Sequence, residues 1–348
     1  MEARSNRIIA NWIFLGVGML IIQVVLGGIT RLTGSGLSIT QWKPIMGALP
    51  PLNQAEWQDA FAKYQEIAQY KYLNTHFTLP DFKFIFFWEW FHRLWARLIG
   101  VAFAIPFIYF LAKKWIQPWM VKPLVILFIL GGLQGAIGWI MVKSGLNDED
   151  LYVSHIRLAV HFIAAMVLIC YALVFGLMLV VKQQDKVADA PLYKLTLGII
   201  GLLVFQLLYG AFMAGLKAAS AASTWPSING SYLPKLGNVF HDRIAIHFIH
   251  RTLAYVLFVL IAVWWFKARR HTASAAFNKA KHWPFILVWL QVLLGIAAVL
   301  TSTKIVLGSF GVFEWIAQLH QVVGMLLLLA LVGVAYILHN STKKAVGS

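Results

Sequence analysis

Long apolar runs separated by short polar segments dominate the chain. Runs long enough to cross a hydrocarbon core of roughly 30 Å, about 20 residues each, fall near residues 8–28, 84–112, 123–142, 155–181, 195–216, 244–266, 283–301 and 315–338. The pattern predicts an all-α integral membrane protein with eight transmembrane helices. The first run leads directly into a loop and further runs without a small-residue cleavage site, so it reads as a retained helix and not a signal peptide. The longest polar interruption, residues 29–83, mixes Gly, Pro, Trp and both signs of charge. Such a composition predicts a folded outer cap more than a disordered linker.

The two halves of the chain repeat one another. Gln23, Gly27, Trp42, Ile45 and Gly47 match Gln206, Gly210, Trp225, Ile228 and Gly230 at a constant offset of 183. Further along, His92-Arg93 matches His250-Arg251, Gln134 and Gly138 match Gln291 and Gly295, and His161 with Met166 matches His320 with Met325. The expected architecture is two pseudo-symmetric four-helix bundles, residues 1–182 with the long outer loop and residues 183–348. Four spans is an even number, so both units enter from the same side and the repeat is parallel.

Composition sharpens this picture. Only 12% of the 348 residues are charged and 60% are apolar, against roughly 25% charged in a soluble domain, which excludes an ordinary soluble fold. The net charge of +16 points to topology and not to nucleic acid, because Lys and Arg lie between apolar runs and form no patch interleaved with aromatics. Fifteen Lys and Arg fall on the side of the termini, from Arg4 to Lys344, and nine on the opposite side, among them Arg31, Lys43 and Lys217. Both termini are therefore expected in the cytoplasm. The single cysteine, Cys170, permits neither a disulfide nor a thiolate metal site within one chain.

Four of the eleven histidines occupy repeat-related positions, His92, His161, His250 and His320, one in each even-numbered span. Measured from the start of its apolar run each lies six to nine residues in, roughly 9 to 12 Å deep. An ionisable ring within a span is costly and faces the bundle interior. Two His on facing helices of a four-helix bundle are the usual means of holding a haem iron by both axial positions. Zinc is disfavoured, since two imidazoles leave a tetrahedral site incomplete, while proton relay would not require the pairing. Glu89 precedes His92 by three residues and shares its helical face. Between Trp88 and Trp90 such a carboxylate must be paired, protonated or functional, or it fixes the His92 tautomer. His247 stands at the equivalent place in the second half. Arg93 and Arg251 are placed to meet haem propionates or to snorkel to headgroups.

These residues resemble the haem A synthase family. The resemblance is carried by Gly27-Gly-Ile-Thr-Arg-Leu-Thr-Gly-Ser-Gly-Leu-Ser-Ile and Phe82-Lys-Phe-Ile-Phe-Phe-Trp-Glu-Trp-Phe-His-Arg. Gln41-Trp-Lys-Pro-Ile, Arg157-Leu-Ala-Val-His, His250-Arg251 and Leu319-His-Gln support it. It implies oxidation of the C8 methyl group of haem O to a formyl group, giving haem A for cytochrome oxidase. On that basis His92 and His161 would hold the substrate haem O, and His250 and His320 a haem B cofactor whose iron accepts or relays electrons. Glu89 matches the functional Glu of the family's Glu-x-x-His motif. Haem O would come from a haem O synthase, and the location would be the bacterial inner membrane. The electron acceptor, and whether the chain forms a homo-oligomer, are left open. Some bacterial members carry a cysteine pair in the first outer loop and this chain has none there, as in the cysteine-free branch shared by proteobacterial-type and mitochondrial members. His247 replaces the non-ionisable polar residue expected at its position.

A di-haem electron carrier linked to quinol would also need four His in two pairs, and a haem transporter is a third reading. A carrier should hold two equivalent haems permanently, whereas an enzyme holds one and exchanges the other. The Glu89/His247 difference and the unequal outer loops favour exchange. For the topology, a reporter fused after Lys344 should be active only if its reporter functions in the cytoplasm. Activity of a periplasm-dependent reporter at that position would overturn the orientation.

Overall fold

The apolar runs become long helices, and polar side chains set where they begin. The computed structural model describes residues 2–42, 46–272, 274–305 and 310–339. Lys43, Pro44 and Ile45 of the first-loop motif, and Lys343 and Lys344 of the inner charge set, lie outside the described residues. Eight helices among the described residues are long and apolar enough to span a bilayer. They are α1 (Glu2–Leu32), α4 (Leu79–Ala112), α5 (Pro118–Lys143), α6 (His155–Val180), α7 (Ala190–Gly215), α8 (Arg243–Ala268), α10 (Trp283–Thr301) and α11 (Val312–Leu338). Short helices α2 (Gln54–Gln65), α3 (Ala68–Leu73) and α9 (Ala275–Ala280) lie between them. The chain is a multi-pass membrane protein.

Asp189 accepts from the Leu192 N–H at 2.8 Å and Asp242 from the Ala245 N–H at 2.7 Å, pairing donors that a helix start leaves open. Thr78 and Asp81 form a capping box that starts α4 five residues ahead of the apolar run. His92 therefore lies 13 residues after Leu79, the first residue of its helix, whereas His161, His250 and His320 lie six, seven and eight residues into theirs.

In the first half α1 packs against α4 and α6, and α5 against α6 and, less extensively, α4. The second half has α7 against α8 and α11, and α10 against α8 and α11. Across the halves α6 meets α7 and α11, and α11 meets α1. Lipid gives helices no hydrophobic reason to associate, so packing and hydrogen bonds between them carry the specificity. Trp12 Nε1 donates to Ala102 O, Trp95 Nε1 to Met19 O, and the buried Trp264 Nε1 to Thr196 Oγ1. The halves are joined by two amides of α11: Gln318 Nε2 donates to Val25 O at 3.1 Å and Gln321 Nε2 to Val24 O at 3.2 Å.

The first outer loop is folded. Gly34 ends α1 in the left-handed region, with φ +70°, and the Ser35 N–H reaches back to Thr30 O at 2.8 Å, a turn that favours glycine. The chain is thereby thrown back onto α4. Leu37 is buried with Tyr64, Ile67, Phe82, Ile85, Phe86 and Val142 in an outer core, and Trp57 packs edge-on against Phe86 with ring centroids 5.0 Å apart. Burial pushes the Tyr64 phenol up to about 12, while its oxygen accepts from Asn74 Nδ2 and donates to Gln69.

Candidate functional site

The site is built from one contact repeated four times. Each odd-numbered spanning helix carries Gln-x-x-x-Gly: Gln23 and Gly27 on α1, Gln134 and Gly138 on α5, Gln206 and Gly210 on α7, Gln291 and Gly295 on α10. Residues four apart share a helical face. Opposite each face stands one of the four His. A Cβ on Gly27 would sit 3.1 Å from His92 Cε1, on Gly138 2.8 Å from His161 Cε1, on Gly210 3.3 Å from His250 Cε1 and on Gly295 3.1 Å from His320 Cε1. Only glycine lets the imidazole lie this close to the neighbouring backbone.

The glutamines hold the same rings from the next turn. Gln23 Nε2 donates to His92 O at 3.2 Å, Gln134 Nε2 to His161 O at 3.0 Å and Gln206 Nε2 to His250 O at 3.0 Å. Each Gln Nε2 also lies within 3.2 to 3.5 Å of a ring nitrogen of its His, Gln291 with His320 included. All four Gln Oε1 atoms are buried without a partner, as are Nδ1 of His92 and Nδ1 of His250.

All four His line one continuous cavity of about 1100 Å³, together with Glu89, Arg93, His247 and Arg251. The rings of His250 and His320 are 6.3 Å apart between centroids and inclined by 71°. That separation leaves room for one iron bonded to a nitrogen of each ring at about 2 Å. Nδ1 of His92 and of His250, buried without a partner among the described residues, in a roomy and mainly apolar cavity, fit a haem held by two His, while both ring nitrogens of His320 lie within 3.3 Å of Gln291.

The halves differ one turn before the first His of each pair. Glu89 is buried, 2% exposed, and fully partnered. Its Oε2 accepts from Ser38 Oγ and from the Ile39 N–H, both at 2.7 Å, and its Oε1 pairs with Arg93. Of the alternatives left by the sequence, pairing is what the structure shows. At the equivalent place His247 is 1% exposed and neither ring nitrogen has a hydrogen-bond partner among the described residues. Arg93 also donates to Ile39 O and Gln41 O, and Arg251 to Ala222 O and Ser227 O. Both arginines thus tie an outer loop to a spanning helix, and Ile39 and Ala222 are related by the repeat offset of 183.

Several site residues escape the sequence. The Gln and Gly residues stand out there only as markers of the repeat, although Gln-x-x-x-Gly in every odd-numbered span is a readable signal. Ser38 lies 51 residues from Glu89, and nothing local announces their contact. Arg31, counted with the outer loop by its charge, belongs to the last turn of α1 and lines the cavity.

Gly132 and Gly138 on α5 provide a matched test, since a Cβ on Gly132 would meet nothing within 4 Å. Gly138→Ala must displace the His161 ring and is expected to cost about 1–3 kcal/mol. Gly132→Ala should be neutral or stabilising by up to about 1 kcal/mol. Thermal unfolding of the two variants in detergent checks this, and equal effects would contradict the cradle.

Comparison with known proteins identifies the family. The family model described as COX15-CtaA, cytochrome oxidase assembly protein, matches residues 10–332. A heme A synthase from Flavobacterium johnsoniae is 35% identical over 98% of this chain and 99% of its own length. Another from Rhodopseudomonas palustris strain BisB5 is 39% identical over 99% of this chain and 95% of its own length. A third, from Flavobacterium psychrophilum, is 36% identical over 98% of this chain and all of its own length. Eight spanning helices, four His each seated against a Gln-x-x-x-Gly helix, and a match over nearly the whole chain place this protein in the COX15-CtaA family of cytochrome oxidase assembly proteins.

Proposed function

We propose that the protein oxidises the C8 methyl group of haem O to a formyl group and so supplies haem A to cytochrome oxidase. The observation that carries this reading is the unequal pair of sites. Four His share one kind of seat, yet one turn before the first His of each pair the halves differ: Glu89, a buried carboxylate, precedes His92, whereas His247 precedes His250 and the buried Glu314 stands six residues before His320 at the start of α11. The relatives named heme A synthase cover the chain nearly end to end, which supports the choice of substrate.

In this reading residues 1–182 and 183–348 are pseudo-symmetric four-helix units. The first holds haem O between His92 and His161 beneath the outer loop 29–83, and the second holds haem B between His250 and His320. Bound haem B supplies an iron centre that takes up and passes on electrons. The chain's own residues do the remaining work. Gln23 and Gln134 fix the substrate-side ligands through their backbone carbonyls and ring nitrogens. Glu89 lies one helical turn from His92, near the edge of a ring ligated there and not over its iron. Held by Ser38, Ile39 and Arg93, its carboxylate is aimed to accept the proton lost as the methyl group is oxidised. Arg93 and Arg251 line the cavity and are placed to meet propionates while they anchor the loops. The protein sits in the bacterial inner membrane with both termini cytoplasmic, receives haem O from a haem O synthase and delivers electrons to a membrane acceptor. An electron carrier with two equivalent haems would have no use for the Glu89/His247 difference.

Membranes in which the variants are expressed with a haem O synthase test the division of labour. His92→Ala and His161→Ala should abolish haem A while most haem B remains, and His250→Ala and His320→Ala should remove the low-spin haem B spectrum. Glu89→Gln keeps size and hydrogen bonding, and it should retain haem O while lowering haem A formation about 100-fold or more. Wild-type haem A formation by Glu89→Gln would refute the proton-transfer role, and a haem B spectrum unchanged in both His250→Ala and His320→Ala would remove the C-terminal site.

A further inference from the structure

Gln23, Gly27 and Arg31 recur every fourth residue along α1 and share one helical face. The first two touch His92. Arg31 stands one turn further toward the outer side, about 6 Å along the axis, and lines the same cavity. In the other three helices the same register, eight residues after the Gln, ends in Val142, Ala214 and Val299. The charge is therefore confined to the His92 seat. The Arg31 side chain has no ion pair or hydrogen bond to any described residue, and its Nε is buried without a partner among them. Of the two buried carboxylates that line the cavity, Glu89 is already taken by Arg93, Ser38 and the Ile39 N–H, and Glu314 accepts from the Gly311 N–H at the start of α11; neither pairs with Arg31.

A guanidinium stays charged at any physiological pH. Within a spanning helix such a group faces the interior and needs a counter-charge, and an unpaired one marks a ligand site. The charge required is an anion presented from the cavity. A planar fork of N–H donors matches a carboxylate with two parallel bonds. Axial ligation by two His fixes the position and plane of a macrocycle but leaves rotation about the His–iron–His line undetermined. A contact at the ring edge has to settle it.

We propose that Arg31 binds a propionate carboxylate of the substrate macrocycle and so sets its rotation in the N-terminal site. This rests on the reading of His92 and His161 as the substrate ligands. The C8 methyl group neighbours a propionate on the ring, so anchoring that arm on α1 fixes where the methyl group lies relative to Glu89. The C-terminal half has Ala214 and Val299 at this register, so a propionate contact there falls to Arg251 on α8 and not to the helix that carries the Gln-x-x-x-Gly seat.

The test uses the purified full chain in detergent, with haem B retained in its C-terminal half as a reporter of folding. Haem O and its dimethyl ester are titrated and followed by visible absorption, in the wild type, Arg31→Gln, Arg31→Lys and His92→Ala. Arg31→Gln should weaken haem O binding about 10- to 100-fold and leave ester binding unchanged. Arg31→Lys keeps the charge without the fork and should retain part of the preference for the free acid. Equal weakening of acid and ester, or no effect on either, overturns the proposal while His92-dependent binding leaves the underlying reading intact. Haem O binding to His92→Ala as tight as to the wild type overturns that reading and the proposal with it.

Discussion

Everything in this molecule depends on bringing an imidazole ring against the backbone of the next helix inside a membrane. A ring nitrogen has no water to turn to there, and an unsatisfied polar group in hydrocarbon costs several kcal/mol. The chain solves the problem four times in one way. A glycine removes the side chain that would hold the helices apart, and a glutamine one turn away lies against the histidine's ring in all four seats and donates to its carbonyl in three. The ring is thereby fixed in direction, and at His92 and His250 a buried nitrogen is left without a partner among the described residues. Neither Ala at the glycine nor an aliphatic residue at the glutamine would do both.

Around these shared contacts the halves differ at Glu89 and His247, at Arg31 and in the length of the outer loop. Gly34 turns the chain back so that Ser38 and Ile39 reach Glu89, and the helices α2 and α3 close an outer core above them. In the second half His247 takes the place of Glu89, and the short outer loop is held by Arg251 alone among the repeat-related contacts. The amides of Gln318 and Gln321 join α11 to α1 next to the seats of His320 and His92. The two chemically different sets of residues thus line one continuous cavity and are tied to each other by these hydrogen bonds.

Much of this is legible in the sequence because it is periodic. The spans follow from uninterrupted apolar runs, and their ends move outward in the structure because caps such as Thr78 with Asp81 and Asp242 extend helices past the apolar segment. The four His are legible because each repeats. The contacts that make them a site are not, since Gln134 and His161, or Ser38 and Glu89, lie on different elements and only packing brings them together. Arg31 is misread by charge alone: a basic residue just past an apolar run looks like a loop residue, yet α1 continues to Leu32 and turns it into the cavity. The folded loop is legible in outline from its Trp, Pro and Gly, but not its two helices, whose polar sequences acquire stability from the aromatic cluster of Tyr64, Phe82 and Phe86.

The most direct test of two unequal haem sites is mass spectrometry of the pigments extracted from purified wild-type protein, produced in cells that make haem O. The account predicts haem B together with haem A or haem O in the same preparation. Haem B as the sole pigment, at two equivalents per chain, would contradict it and make the protein an electron carrier with two alike centres.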